Sequence, residues 1–220
     1  RGYAVSRIIA LFLLSYINWI LCHRFFSFST LSLTVSVSAI MLFSARALLR
    51  HRIDLWRHVR TRWKWILFTE LFAIALFMIL INIRSYCSDI QYNPNYHGAE
   101  KLGNMMMLTA LCRTEKFPVE DSWFCQTQAM KEGHEKPVYL NYYYGGHLQW
   151  ATMARLVRVP PEFAFNLALA TVFSWIGLAG FALMLNLTRR VLPSMICGLL
   201  LVFGGNLEPF RQLDKMVDAY

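Results

Sequence analysis

Apolar residues in this chain come in long runs, and polar residues gather between them. Runs of about 18 or more apolar residues without charge predict helices that cross a bilayer. Five spans are predicted, over 4–22, 30–49, 65–83, 163–187 and 191–203. The second is rich in Ser and β-branched residues, which a helix in lipid tolerates. The longest interval between spans, 84–161, holds most of the acids and most of the Pro and Gly that punctuate the middle of the chain. Within it the pattern predicts two short helices, over 98–113 and 146–157, joined by a loop with Pro118, Gly133 and Pro137. Both are too short to span, so they are expected to lie in the interface. Pro160-Pro161 closes the interval and starts the fourth span.

The other polar interval is 46–64. It carries Arg46, Arg50, Arg52, Arg57, Arg60, Arg62 and Lys64 against one acid, Asp54. Leu49, Ile53, Trp56, Val59 and Trp63 recur among these cations at helical spacing. The stretch reads either as a basic amphipathic helix in the headgroup layer or as a solvated loop that sets topology. Such a cluster faces the cytoplasm by the positive-inside rule. Counting spans then puts the amino terminus inside and 84–161 outside, and Arg1, Arg7, Arg189 and Arg190 also fall inside. The expected organisation is a first part, 1–64, with two spans and the basic segment, and a membrane core, 65–220. Glu70, in the first two turns of the third span, is either functional or close enough to the interface to pair with Arg62 or Lys64. Asn186-Leu187-Thr188 fits a glycosylation sequon but faces the cytoplasm on this count.

Composition agrees with this picture: 56% of residues are hydrophobic and 16% charged. The net charge of +9 would suggest nucleic acid on a soluble protein. Here the cations cluster between spans, so the partner is membrane lipid and no nucleic acid is expected. Phosphate-binding glycine loops and nucleotide fingerprints are absent. Of five Cys, Cys22 and Cys197 lie in spans as packing residues; Cys87, Cys112 and Cys125 share the central interval with no zinc spacing. One disulfide among those three fits an oxidising compartment. A start at Arg1 and a stop soon after a span suggest a piece trimmed at both ends.

A series of short motifs runs through the chain in order. Arg84 is followed by Asn93-Pro94, Glu100-Lys101, Phe117-Pro118, Asp121 and Trp123. Then come Asn141-Tyr142-Tyr143-Tyr144, Gly146, His147, Asn166 and Gly204-Gly205-Asn206-Leu207. In this order the set resembles a family of bacterial and archaeal polytopic membrane proteins named for a Tyr-Tyr-Tyr motif. The resemblance covers about 65–212, and implies a prokaryotic plasma membrane and further spans beyond Tyr220. Three positions depart from that pattern. Asn104 stands where the family has Asp, Ser122 where it has Pro, and Gly145 where it has an aromatic residue. The first removes a carboxylate one turn after Glu100.

The layout also resembles the GT-C class of membrane glycosyltransferases, which take sugars from polyprenyl-phosphate carriers. In that class a span leads into an extracytoplasmic loop with an acidic residue and two interfacial helices. The implied fold is an all-α polytopic bundle of about five spans with that loop. The implied activity is sugar transfer from a polyprenyl-phosphate donor at the extracytoplasmic face. Such a transfer needs a carboxylate to take the acceptor proton, cations for the leaving phosphate and an apolar groove. Glu100 is the candidate base, and Asp121 its helper or a holder of a divalent cation, which prefers oxygen ligands. Arg84, Lys101, Arg155 and Arg158 are candidate phosphate partners. Asn141, Tyr142, Tyr143, Tyr144, His147 and Trp150 are candidate contacts for sugar or lipid. Most have a plainer reading: Glu100 as a helix-start charge, Asp121 as a turn residue, the tyrosines as an aromatic belt, Arg155 and Arg158 as interfacial anchors, and His147 as polar packing. The competing class is a non-catalytic multi-pass protein, a transporter or an envelope-assembly scaffold. No inverted repeat favours the transporter.

Overall fold

The computed structural model describes residues 2–86, 99–122, 133 and 138–204, without the side chains of 86 and 99–101. Its helices are α1 (Tyr3–Arg24), α2 (Thr30–Arg50), α3 (Arg52–Tyr86), α4 (Ala99–Arg113), α5 (Gly145–Val157), α6 (Pro161–Thr188) and α7 (Val191–Phe203). Among the described residues the strand-like structure is one antiparallel bridge, Glu120 to Tyr139. α1, α2, α3 and α6 are long and apolar enough to cross a membrane. The fifth expected span, α7, has 13 residues. At about 1.5 Å per residue that is roughly 20 Å, short of the ~30 Å hydrocarbon layer.

The helix ends follow local chemistry. The Ser29 N–H donates to Ser32 Oγ (3.2 Å) where α2 begins. Pro161 opens α6, where a missing N–H costs nothing. Arg158 (φ 56°) and Arg189 (φ 58°) take left-handed conformations that stop α5 and α6. One expectation changes: the basic segment and the third span form a single 35-residue helix, α3. Between Arg52 and Tyr86 there is no Gly or Pro, so nothing in the sequence breaks the hydrogen-bond ladder.

The chain divides into two compact units. One comprises Arg1–Ile8, Arg62–Ile83 and Leu169–Tyr220. Its core is built from Phe72, Leu76, Leu178 and Phe181, with Phe68 packed against them. Ser174 Oγ donates to the Ala73 carbonyl (2.6 Å), a side-chain bond between α6 and α3. α6 and α7 approach so closely that a Cβ on Gly198 would lie 2.6 Å from the Gly177 carbonyl oxygen. Glu70 accepts from the Arg7 guanidinium, where the sequence had suggested Arg62 or Lys64. Those two lie eight and six positions before it on the same helix, beyond the three or four that bring side chains together.

The other unit comprises Ile9–Thr61 and Arg84–Ala168. α5 lies against α4 and α2. Phe28, Leu33, Leu108, Leu111, Val119 and Ala151 form its innermost layer. The two short helices expected in the central interval are present, within a residue of their expected bounds.

Candidate functional site

The second unit carries most of the motif residues, and Arg155 holds its loops together. Arg155 lies on α5, and its Nε donates to the Cys112 carbonyl (2.9 Å). Its two terminal nitrogens donate to the Phe28 and Thr114 carbonyls. The guanidinium also stacks 4.3 Å from the Phe28 ring centroid. Cys112 and Thr114 close α4, where backbone carbonyls lack helical partners. The Phe28 N–H donates to the Glu115 carbonyl (2.6 Å), so the α1–α2 link is fastened to the same turn. Burial pulls the Arg155 pKa below its ordinary value, with nearby groups opposing that shift. Its planar fork is spent on backbone, a use the anchor and phosphate readings both missed.

From this turn the chain runs through Phe117-Pro118 to a short ladder. The Asp121 N–H donates to the Val138 carbonyl (2.9 Å), and the Leu140 N–H to the Val119 carbonyl (2.8 Å). Val119 is buried, so the ladder is pinned to the core. Between it and α4 lies a cleft of about 640 Å³. Met106, Thr109, Ala110 and Arg113 form one wall, a single helical face. Lys116, Glu120, Ser122 and Tyr139 face it. Among the described residues neither Arg113 nor Lys116 enters an ion pair. The volume falls in the range of small-molecule sites, and the lining offers cations, carboxylates, hydroxyls and a phenol. Sequence reading did not single out Arg113, Lys116 or Glu120, because lone charges around a loop read as solvated. The one available signal was Arg113 in the last turn of a helix.

The expected site residues do not line this cleft. Glu100 and Lys101 stand in the first turn of α4, with side chains outside the described set. Arg113 ends the same helix, roughly 20 Å away along its axis. Asp121 sits in the ladder beside the lining residues Glu120 and Ser122. Arg84 donates from Nε (2.9 Å) and Nη2 (2.6 Å) to Asn166 Oδ1, joining two motif positions. Asn141 is exposed. The tyrosine run splits. Tyr142 and Tyr143 are exposed and stacked, centroids 4.1 Å apart, with hydroxyls 2.8 Å apart. Tyr144 turns inward, and its hydroxyl accepts from Trp19 Nε1 (3.4 Å).

His147 Nε2 lies 3.2 Å from Asn104 Oδ1. The Nε2–H tautomer donates there, and among the described residues Nδ1 is buried without a partner. Burial pushes the imidazole pKa below its ordinary value. Asn104, one of the three positions where the resemblance led us to expect another residue, is thus the partner of His147. The Cys112 thiol is free, and burial pushes its pKa up. Cys87, Cys125, Asn93-Pro94, Trp123 and Gly205-Asn206-Leu207 lie outside the described residues. Among those described, no three of His, Cys, Asp or Glu come together as a metal site.

In comparison with known proteins, the family described as "Uncharacterized membrane protein (DUF2298)" matches residues 13–218. No curated protein and no solved structure matches the chain.

Proposed function

The chain belongs to the DUF2298 family of membrane proteins, and from that premise we propose a GT-C-like glycosyltransferase that uses a polyprenyl-phosphate sugar donor. The observation that carries the reading is the polar cleft beside α4, where two short helices pack against each other in a chain that also holds four helices of membrane-spanning length. Such a unit suits a reaction whose donor is anchored in lipid and whose acceptor comes from water. The proposed orientation places it at the extracytoplasmic face of a prokaryotic plasma membrane, with 46–64 cytoplasmic.

In the proposed reaction the acceptor oxygen bonds to the anomeric carbon as that carbon's bond to phosphate oxygen breaks. The acceptor proton goes to the Glu100 carboxylate, and polyprenyl phosphate leaves. Asp121 assists from the ladder, or holds a divalent cation if one takes part. Arg84 and Lys101 face the phosphate, while Arg113 and Lys116, at the other end of α4, are left to the acceptor that enters the cleft. The exposed Tyr142–Tyr143 pair gives a stacking surface for sugar or lipid, with Asn141 and His147 nearby in sequence. Arg155 is assigned to holding the loops.

The test compares the full-length protein with its Glu100→Gln variant on a polyprenyl-phosphate sugar. Loss of a general base should lower turnover by about 10²–10⁴-fold. Unchanged transfer in the variant would remove the role given to Glu100. No transfer by the wild type across a broad donor panel would instead favour a transporter or an envelope-assembly scaffold.

A further inference from the structure

α3 begins with two parallel stripes. Trp56, Val59 and Trp63 follow an i, i+3, i+7 spacing and share one side of the helix. Arg57, Arg60 and Lys64 repeat that spacing one residue later, on the adjoining side. Among the described residues nothing covers the apolar stripe: Trp56 is 69% exposed and Trp63 52%. The Lys64 ammonium lies 5.7 Å from the Trp63 ring centroid, so the stripes meet at that edge. The preceding turns of α2 add Arg46 and Arg50 beside exposed Leu48 and Leu49. Asp54 is the single acid in the whole stretch.

We propose that these first turns of α3 form a binding surface for anionic phospholipid headgroups of the leaflet they adjoin. An acidic protein would satisfy the cations and leave two indoles in water. A zwitterionic surface would take the indoles and leave the cations with little net attraction. An anionic lipid meets both demands, its phosphate on the cation stripe and its acyl–headgroup boundary against the indoles. Helix length fits the same arrangement. At about 1.5 Å per residue α3 measures roughly 52 Å, against ~40–45 Å for a bilayer with its headgroups. Inclining the helix brings its first turns down over the headgroups, and turning the tryptophan side towards them covers that stripe.

The test uses the full-length protein in bilayers of phosphatidylcholine with a minor share of phosphatidylglycerol. One or the other lipid carries bromine to quench tryptophan. Subtracting the emission of W56F/W63F isolates the stripe. Quenching by brominated phosphatidylglycerol should exceed that by brominated phosphatidylcholine at equal mole fraction. R57Q/R60Q/K64Q should lower the preference by roughly a hundredfold, three surface cations counting about fivefold each. R57K/R60K should retain it, because a point charge suffices. The preference should collapse near 1 M salt, where the Debye length is about 3 Å. Equal quenching by both lipids, or a preference that survives in the triple glutamine variant, would overturn the proposal. So would a stripe shielded from both lipids, which would mark it as a protein-docking face.

Discussion

Replacing Arg155 with Met keeps much of the side chain's length and apolar bulk but removes all of its donors. The Cys112, Thr114 and Phe28 carbonyls then lose their guanidinium partner together. Leaving a buried acceptor unpaired costs about 1–3 kcal/mol, and these three bonds are part-buried, so at the low end they cost about 3 kcal/mol together. The low end applies because the half-buried guanidinium no longer has to be desolvated, which returns part of the loss. For a chain of 150–250 residues each kcal/mol moves Tm by about 2–4 °C, which gives a fall of roughly 6–12 °C. Arg155→Lys should fall between the two, since one ammonium cannot reach three carbonyls in a fixed fork. The assay is thermal unfolding of the purified protein in detergent, followed by tryptophan emission. Donor-lipid affinity is measured on whatever remains folded at low temperature. A structural Arg155 lowers Tm and spares affinity. A Tm change below about 2 °C would refute this use of the carbonyl bonds, and lost affinity at constant Tm would return Arg155 to the phosphate site.

Three further outcomes are expected. In the wild type, burial keeps His147 below its ordinary pKa. The unfolded chain therefore takes up a proton at about pH 6.5 that the folded chain refuses, and stability should fall as pH drops through that value. Asn104→Asp puts a carboxylate beside the ring and should raise its pKa. The added stability is then present below about pH 6.5 and lost as pH rises through the new folded value, which an imidazole NMR titration and Tm against pH would detect. For orientation, a cysteine at Tyr143, in a background without the native cysteines, should react with an impermeant reagent on intact cells. One at Arg57 should react only after the membrane is opened, and the reverse order would invert the proposed topology.

The run lengths of apolar residues were enough to place α1, α2, α6 and the apolar part of α3, because a bilayer demands about twenty consecutive apolar positions; α7 was found at its expected bounds but is too short for that argument. The two short helices were legible for the same reason in reverse: their runs are too brief to cross and are bounded by Pro, Gly and charge. For the basic stretch, sequence alone offered a helix, through the spacing of Trp56, Val59 and Trp63, beside the equal reading of a solvated loop, and the structure decided for the helix. What the sequence left open was continuity, since the absence of Gly and Pro over 52–86 permits an unbroken helix without requiring one. Side-chain partners were the other gap. Glu70 finds Arg7 63 residues away, and Arg155 spans 127 residues to Phe28. Local spacing carries no information at that range. The same holds for the cleft: Arg113 and Tyr139 wall one cavity because Val119 and Leu140 close a ladder between them. The tyrosine run reads as three equivalent aromatics, yet Tyr144 turns in to Trp19 while Tyr142 and Tyr143 stay outside. That division depends on where α5 starts and on what packs beneath it, and both are settled only when the helices meet.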